Sequence, residues 1–206
     1  MKYIIPARKG SKGLKHKNRY LFDYTAKTIP ANFAKDVYVT SDDEYIIDRA
    51  KHYRFNILHR KTELSADNIS IKHVLQDVVQ EYNITEDITM LYLTYPKRTW
   101  QDIMDFYRVF MNNNRAPTVC KKSIINHPYL CFYEMCDNKG KQVIEHDLYR
   151  RQDYPSCFQI CHFLFSCRLE DLDKLNLNLY HEDMFFHEID ELKCLDIDTQ
   201  QDFQKV

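Results

Sequence analysis

The stretch IPARKGSKGLKHKN, from Ile5 to Asn18, directly follows the apolar run Tyr3-Ile4-Ile5 and holds two of the chain's three glycines. Arg8, Lys9, Lys12, Lys15 and Lys17 surround those glycines. The pattern predicts an apolar strand ending in a cationic loop suited to a polyanion. A triphosphate needs backbone N–H donors at close range, which Gly10, Ser11 and Gly13 permit, and fixed positive charge to offset several anionic oxygens. The stretch is neither GxxxxGK[ST] nor GxGxxG, because Gly10 and Gly13 are three apart. A solvated basic turn has the same composition, so the loop alone leaves both readings open.

Outward from this loop the hydrophobic periodicity alternates between strand and helix. Tyr3 to Pro6 reads as a strand, the loop runs through Asn18, and a short helix is expected over about Ala26 to Ala34. Val37 to Thr40 is a second strand, followed by a helix that Asp42 or Asp43 can cap, with Ile46, Ile47, Ala50 and Tyr53 at helical spacing. Asn56 to Leu58 forms a third strand, and Ile71, Val74, Leu75, Val78 and Val79 mark an amphipathic helix. A strand from Ile88 to Leu93, a helix from about Trp100 to Met111 and a strand at Thr118 to Cys120 follow. This alternation predicts an α/β, doubly wound, mostly parallel sheet with ligands at the carboxyl ends of its strands. Tyr129 to Tyr149, containing Asp137-Asn138-Lys139-Gly140, interrupts it and reads as a β-hairpin excursion or a plain surface hairpin.

A length of 206 residues agrees with a single domain over 1–206. A net charge of -1 and a pI near 6.7 give no global attraction to nucleic acid or membrane, which makes the basic loop a local feature suited to a small anion. No stretch approaches the roughly 18 apolar residues of a membrane helix, and the first strand begins at once, so a cytoplasmic protein with reduced thiols is expected. Cys157, Cys161, His162 and Cys167 lack paired CxxC spacing and fall on an apolar, strand-like segment, which argues against zinc.

Ala7 to Asn18 closely resembles the ARxGSKGxxxKN signature of the sugar-acid cytidylyltransferases, which make CMP-activated 2-keto sugar acids such as CMP-sialic acid. Further matches follow in family order. Val37 to Ile46, VYVTSDDEYI, resembles VSTDDexI, and Arg60 with Glu63-Leu64-Ser65-Ala66-Asp67 resembles RPxeLaxD. LTYPKRTWQDI, from Leu93 to Ile103, is similar to PTSPLRTxxDI. His127-Pro128 with Arg151-Gln152-Asp153-Tyr154-Pro155 resembles the HP and RQxxP pieces, and Leu195-Asp196-Ile197-Asp198-Thr199 with Asp202-Phe203 resembles DIDTxxDF.

The resemblance implies a Rossmann-like nucleotidyltransferase fold and transfer of CMP from CTP to a nonulosonic acid such as N-acetylneuraminate, with release of pyrophosphate. It implies a homodimer joined through the excursion. It assigns Arg8, Ser11, Lys12, Lys17 and Asn18 to the triphosphate and nucleotide, with Ser41, Asp42 and Arg60 near the cytidine. Arg8, Lys17 and Asp198 are the expected catalytic residues, and Asp196 and Asp198 the expected Mg2+ ligands. On an extended segment the two carboxylates project to one side, although Asp198 or Thr199 could equally cap the helix that follows. Arg151 and Gln152 are the expected contacts to the sugar carboxylate, Phe185 and Phe186 to its acyl group, and Arg98 supports the loop.

The chain departs from the family pattern in three places. Arg19 to Asp36 is shortened and lacks glycine; Cys161-His162 stands where Asn-Gly is usual; Tyr95 and Lys97 replace small and apolar residues of TSPLR. These leave open a weakly active nucleotide-binding or regulatory protein of the same fold, or an enzyme for Kdo, legionaminate or pseudaminate.

Overall fold

The computed structural model describes residues 1–11 and 13–206. The elements are β1 (Lys2–Pro6), α1 (Lys17–Thr28), β2 (Val37–Ser41), α2 (Glu44–His52), β3 (Asn56–His59), α3 (Ile71–Glu81), β4 (Ile88–Met90), α4 (Trp100–Asn112) and β5 (Thr118–Ser123). They continue with β6 (Phe132–Glu134), β7 (Gly140–Gln142), β8 (Phe158–Cys167), α5 (Leu169–Leu172), β9 (Phe185–Glu188) and α6 (Gln200–Phe203). Seven strands form one sheet in the order β3-β2-β1-β4-β8-β5-β9, and β6 and β7 form a separate hairpin. Only β8 runs against its neighbours β4 and β5; the other pairings in the large sheet are parallel.

The strands read as continuous apolar runs because both faces of the sheet are covered. Tyr3 and Ile5 of β1 join a core with Leu21 and Phe22 of α1, Ile46 of α2 and Phe106 of α4. Ile4 points the other way and packs with Leu75 and Val78 of α3. Short side chains fix the helix starts by satisfying otherwise orphaned N–H groups. Asp43 caps α2 by accepting from the Tyr45 N–H at 3.1 Å, and Ser70 caps α3 by accepting from Lys72 at 3.1 Å. Thr99 and Asp102 form a reciprocal capping box on α4.

Two boundaries differ from the sequence reading. The first helix is not Ala26–Ala34: α1 begins at Lys17 inside the basic stretch, and Ala31–Asp36 is a separate 3-10 turn. Pro30 separates them, since a residue before proline is driven out of the helical region and Ile29 is extended at φ −86°, ψ 121°. The strand expected to reach Leu93 stops at Met90, and Tyr92 to Thr94 line the cleft described below.

The excursion contains the hairpin, with Phe132 opposite Gln142 and Glu134 opposite Gly140. Its turn places Asp137 and Asn138 in the left-handed region at φ 60° and 58°, conformations that Asp and Asn tolerate better than most residues. Gly140 serves a different need, because a Cβ there would stand 2.6 Å from the Phe132 ring.

Arg98 is buried without a carboxylate within ion-pair distance among the described residues. Its guanidinium instead donates to the Phe163 carbonyl at 2.7 Å, the Tyr92 carbonyl at 2.8 Å and the Thr25 hydroxyl at 3.1 Å. It also lies 5.6 Å from the Phe163 ring centroid. Burial lowers its pKa to about 10, still far above neutrality. Arg98→Met keeps the side-chain volume but strands three acceptors, and each stranded group costs about 1–3 kcal/mol. We expect a loss of at least about 3 kcal/mol in a denaturant titration with an unchanged slope.

Candidate active site

A cleft of about 690 Å³ opens at the carboxyl ends of β1 and β4. One wall carries Arg8, Gly10, Ser11, Gly13, Lys17 and Asn18 from the first loop and the start of α1. The base is formed by Tyr92, Leu93 and Thr94, and Arg60 enters from the end of β3. Leu64, Ile69, Ile71, Val74 and Leu177 line the remaining wall, interleaved with the polar Asp67, Asn68, Ser70 and Asn178. The cleft therefore combines fixed cations with apolar side chains, which suits a molecule with a charged tail and a planar, weakly polar head.

Both loop cations are held by carboxylates. Arg8 pairs with Asp67, and Lys17 donates to Asp198 Oδ1 at 2.6 Å, joining residues 181 apart in sequence. The Asp198 carboxylate is 69% exposed while the Lys17 side chain is only 16% exposed, and an ion pair open to water on its carboxylate side contributes about 1 kcal/mol. A triphosphate bearing several charges can therefore displace it. Asn18 donates to the Arg8 carbonyl at 2.8 Å and so shapes the loop.

The segment after Cys194 is fastened against the same loop. The Ile197 N–H donates to the Thr94 carbonyl at 2.9 Å, and the Leu14 N–H donates to the Asp198 carbonyl at 3.0 Å. Gly13 is required by this approach, since a Cβ would lie 2.2 Å from the Asp198 carbonyl oxygen. Gly10, by contrast, has nothing within 4 Å of its missing Cβ. The cap at α6 belongs to Thr199, whose hydroxyl accepts from the Asp202 N–H at 3.2 Å within a capping box, so the Asp198 side chain is not used there.

Asp196 is partly buried, and its Oδ2 accepts from the Tyr95 hydroxyl at 3.0 Å. Asp198 lines the cleft and Asp196 does not. Among the described residues no group of three or more His, Cys, Asp or Glu side chains is placed to hold a metal. Mg2+ prefers hard oxygens, keeps several waters and uses one or two carboxylates beside substrate phosphates, and of the two aspartates only Asp198 is on the cleft wall.

Among the described residues, only Arg60 of the other expected ones reaches the cleft. Ser41 is fully buried, its hydroxyl donating to the Ala7 carbonyl and accepting from the Asp43 N–H at 3.0 Å, so it secures the strand end and is not on the cleft wall. Asp42 also lies off the wall and accepts from the Lys9 N–H at 2.7 Å. Arg60 is buried, donates to the Thr40 carbonyl at 3.1 Å and is lowered by burial to about 10. Arg151 and Gln152 sit in an exposed 3-10 turn just after the excursion, and Phe185 and Phe186 are half-exposed on the edge strand β9. None of these four lines the cleft. The expected contact at Lys12 lies outside the described residues. Cys161-His162 lies inside β8 and not before it, at a bulge where Val119 pairs with Phe165 and Cys120 with Cys161.

The sequence reading missed Tyr92, Thr94 and the Leu177-Asn178 segment. The last reaches the cleft because Ser70 donates to the Leu177 carbonyl at 2.6 Å and Lys72 to the Leu175 carbonyl at 2.6 Å. No local motif marks such a contact. Burial raises the Tyr92 hydroxyl to about 12, leaving it a donor at neutral pH.

This fold, with a cation-lined cleft at its strand ends, is that of the nucleotidyltransferase class. The solved structures agree in fold. A CMP:2-keto-3-deoxy-manno-octonic acid synthetase complexed with CTP superposes with a TM-score of 0.66 at 14% identity, covering 99% of this chain and 95% of that one. A 4-diphosphocytidyl-2C-methyl-D-erythritol synthase from Anaerococcus prevotii DSM 20548 gives 0.60 at 12% identity, covering 99% and 94%. Over residues 3–206 the sequence matches the cytidylyltransferase family, and the chain belongs to it. An N-acylneuraminate cytidylyltransferase from Streptococcus agalactiae serotype III (strain NEM316) is 25% identical over 212 residues, 97% of this chain and 51% of that protein. One from Escherichia coli O18:K1:H7 (strain RS218 / NMEC) is 29% identical over 132 residues, 61% and 32%. The chain thus spans about half the length of the first of these relatives. No helix among the described residues is long and apolar enough to cross a membrane.

The two glycines give opposite expectations. Gly13→Ala forces the segment at Asp198 away and should cost about 1–3 kcal/mol in thermal denaturation. Gly10→Ala should leave the melting midpoint within the small range of a surface change.

Proposed function

We propose that this chain transfers CMP from CTP to a 2-keto sugar acid of the nonulosonic type, such as N-acetylneuraminate, and releases pyrophosphate. The reading is carried by the Lys17–Asp198 pair, which unites the cationic loop and the terminal aspartates at one cleft. The names of the curated relatives and the CTP complex of the structural neighbour support the same nucleotide and substrate class.

In this reading Arg8, Lys17, Ser11 and the loop N–H groups bind the triphosphate, and the apolar side chains of the remaining wall receive the base. The anomeric hydroxyl oxygen forms a bond to the α-phosphorus, the bond from that phosphorus to the bridging β-phosphate oxygen breaks, and pyrophosphate departs. The hydroxyl proton passes to Asp198 or to solvent. Asp196 and Asp198 would hold Mg2+, which when bound supplies charge neutralisation at the phosphates. Catalysis rests on positioning and electrostatics, with no protein nucleophile.

The sugar carboxylate is assigned to Arg151 and Gln152 of a second copy. Their distance from this chain's cleft wall is explained if the excursion reaches across a homodimer, and Phe132 and Tyr133 there are 66% and 61% exposed. Exposed aromatic side chains this close together mark an interaction surface. Light scattering should therefore report about twice the 24.9 kDa chain mass. A fully active monomer would rule out the shared site.

The decisive experiment measures pyrophosphate release with Mg2+, each of CTP, UTP, ATP and GTP, and a panel of sugar acids. CTP with a nonulosonic acid should be the productive pair; equal use of all four nucleotides would sink the cytidylyl reading. Arg8→Ala or Lys17→Ala should weaken CTP binding by roughly 1.5–3 kcal/mol, the worth of a charge-assisted contact. Asp198→Asn should leave folding intact and sharply lower turnover, because Thr199 provides the cap.

A further inference from the structure

One stretch of the cleft lining comes from outside every motif named above. Between α5 and β9 the chain reads Leu175-Asn176-Leu177-Asn178-Leu179-Tyr180, and its three leucines have different fates. Leu175 and Leu179 are buried in the core beside Leu75 and Val78 of α3, whereas Leu177 is 58% exposed and lies on the cleft. We propose that Leu177 is a substrate-contact residue, held out by this loop to pack against the flat face of the nucleobase. The assignment rests on the reading of the cleft as a CTP site given above.

The loop is closed on itself. Asn176 Oδ1 accepts from the N–H groups of Asn178 at 2.9 Å and Tyr180 at 3.0 Å, and the Asn176 N–H donates to the Tyr180 carbonyl at 2.9 Å. This closure places Leu179 in the left-handed region at φ 59°, a conformation that costs a bulky residue energy, and the burial of its side chain holds it there. The loop is also tied to α3. Ser70 donates to the Leu177 carbonyl at 2.6 Å, Lys72 to the carbonyls of Asp173 at 2.8 Å and Leu175 at 2.6 Å, and Gln76 to Asp173 Oδ1 at 2.6 Å. The same helix brings Ile71 and Val74 to the cleft, so Leu177 is fixed relative to two other apolar side chains of the lining.

An apolar side chain kept in water on a main chain already ordered loses little further freedom when a ligand covers it. The anionic tail of a nucleotide has its partners at Arg8 and Lys17, which leaves the ring as the part that Leu177 can cover. The contact is made with the ring's face and not its edge, so it adds affinity for a base without reading which hydrogen-bonding groups the base carries.

The test is a calorimetric titration of the full chain with CTP and, separately, with inorganic tripolyphosphate, which carries the anionic tail and no base. Leu177→Ala removes the contact and should raise the dissociation constant for CTP roughly fivefold, the scale of a partly covered leucine side chain. Its affinity for tripolyphosphate should not change, and its melting midpoint should stay within the range of a surface substitution. Leu177→Met, which restores the apolar volume, should recover most of the CTP affinity. Leu177→Ser serves in place of the alanine variant if that one does not fold. Unchanged CTP affinity in the folded variant overturns the role of Leu177 alone, as does equal weakening of CTP and tripolyphosphate, which would mark a general distortion of the cleft. A wild-type chain that binds tripolyphosphate as tightly as CTP has no site for a base, and that result overturns the nucleotide reading and this assignment with it.

Discussion

The buried guanidinium of Arg98 is the constraint on which the active-site end of the sheet depends. It binds carbonyls at the end of β4 and in β8 and a hydroxyl on α1, three elements that no local sequence interaction would bring together. A cation surrounded by carbonyl dipoles needs no carboxylate close by, but it tolerates little movement, because each displaced carbonyl would be left unsatisfied in a low-dielectric interior. The turn from Leu91 to Thr94 is rigid for this reason. The cleft floor and the anchor point for the terminal aspartates are both built on that turn.

On this rigid floor the charged groups are held only loosely. Arg60 is buried and fixed, whereas Lys17 and Arg8 meet carboxylates at the mouth of the cleft. The contrast suits exchange: ion pairs in contact with water are cheap to break, and a nucleotide replaces an attraction of similar kind with a larger one.

Much of this was legible in the sequence where the signal was local. Val37 to Tyr53 reads as strand, cap and helix because period two gives way to period 3.6 across Asp43, and the structure follows it closely. The basic loop and the DIDT segment were visible as motifs, but their meeting was not, since Lys17 and Asp198 are joined through Gly13 and Leu14 across nearly the whole chain. The start of α1 was hidden because its first turn is made of the same basic residues as the loop, with no side-chain cap on His16 to announce it. Ser41 looked available for a ligand because a strand-end serine gives no sign of burial; the hydrogen bonds that enclose it come from Ala7 and Asp43. Tyr95 stood out as a mismatch, and its partner Asp196 became evident only in three dimensions.

The placement of β8 also governs how the chain can be made. Strands β1 to β4 pair only with one another on one side and are complete once residue 90 has been synthesised. The other edge of β4, with Ile88 and Met90 fully buried in the finished protein, has no neighbour until residues 158–167 emerge and insert between β4 and β5. During translation that apolar edge is an open template for any passing strand, and pairing across such a long separation is slow. Synthesis of this chain therefore includes an interval of exposure to chaperones or to aggregation, set by the ribosome's pace through the excursion.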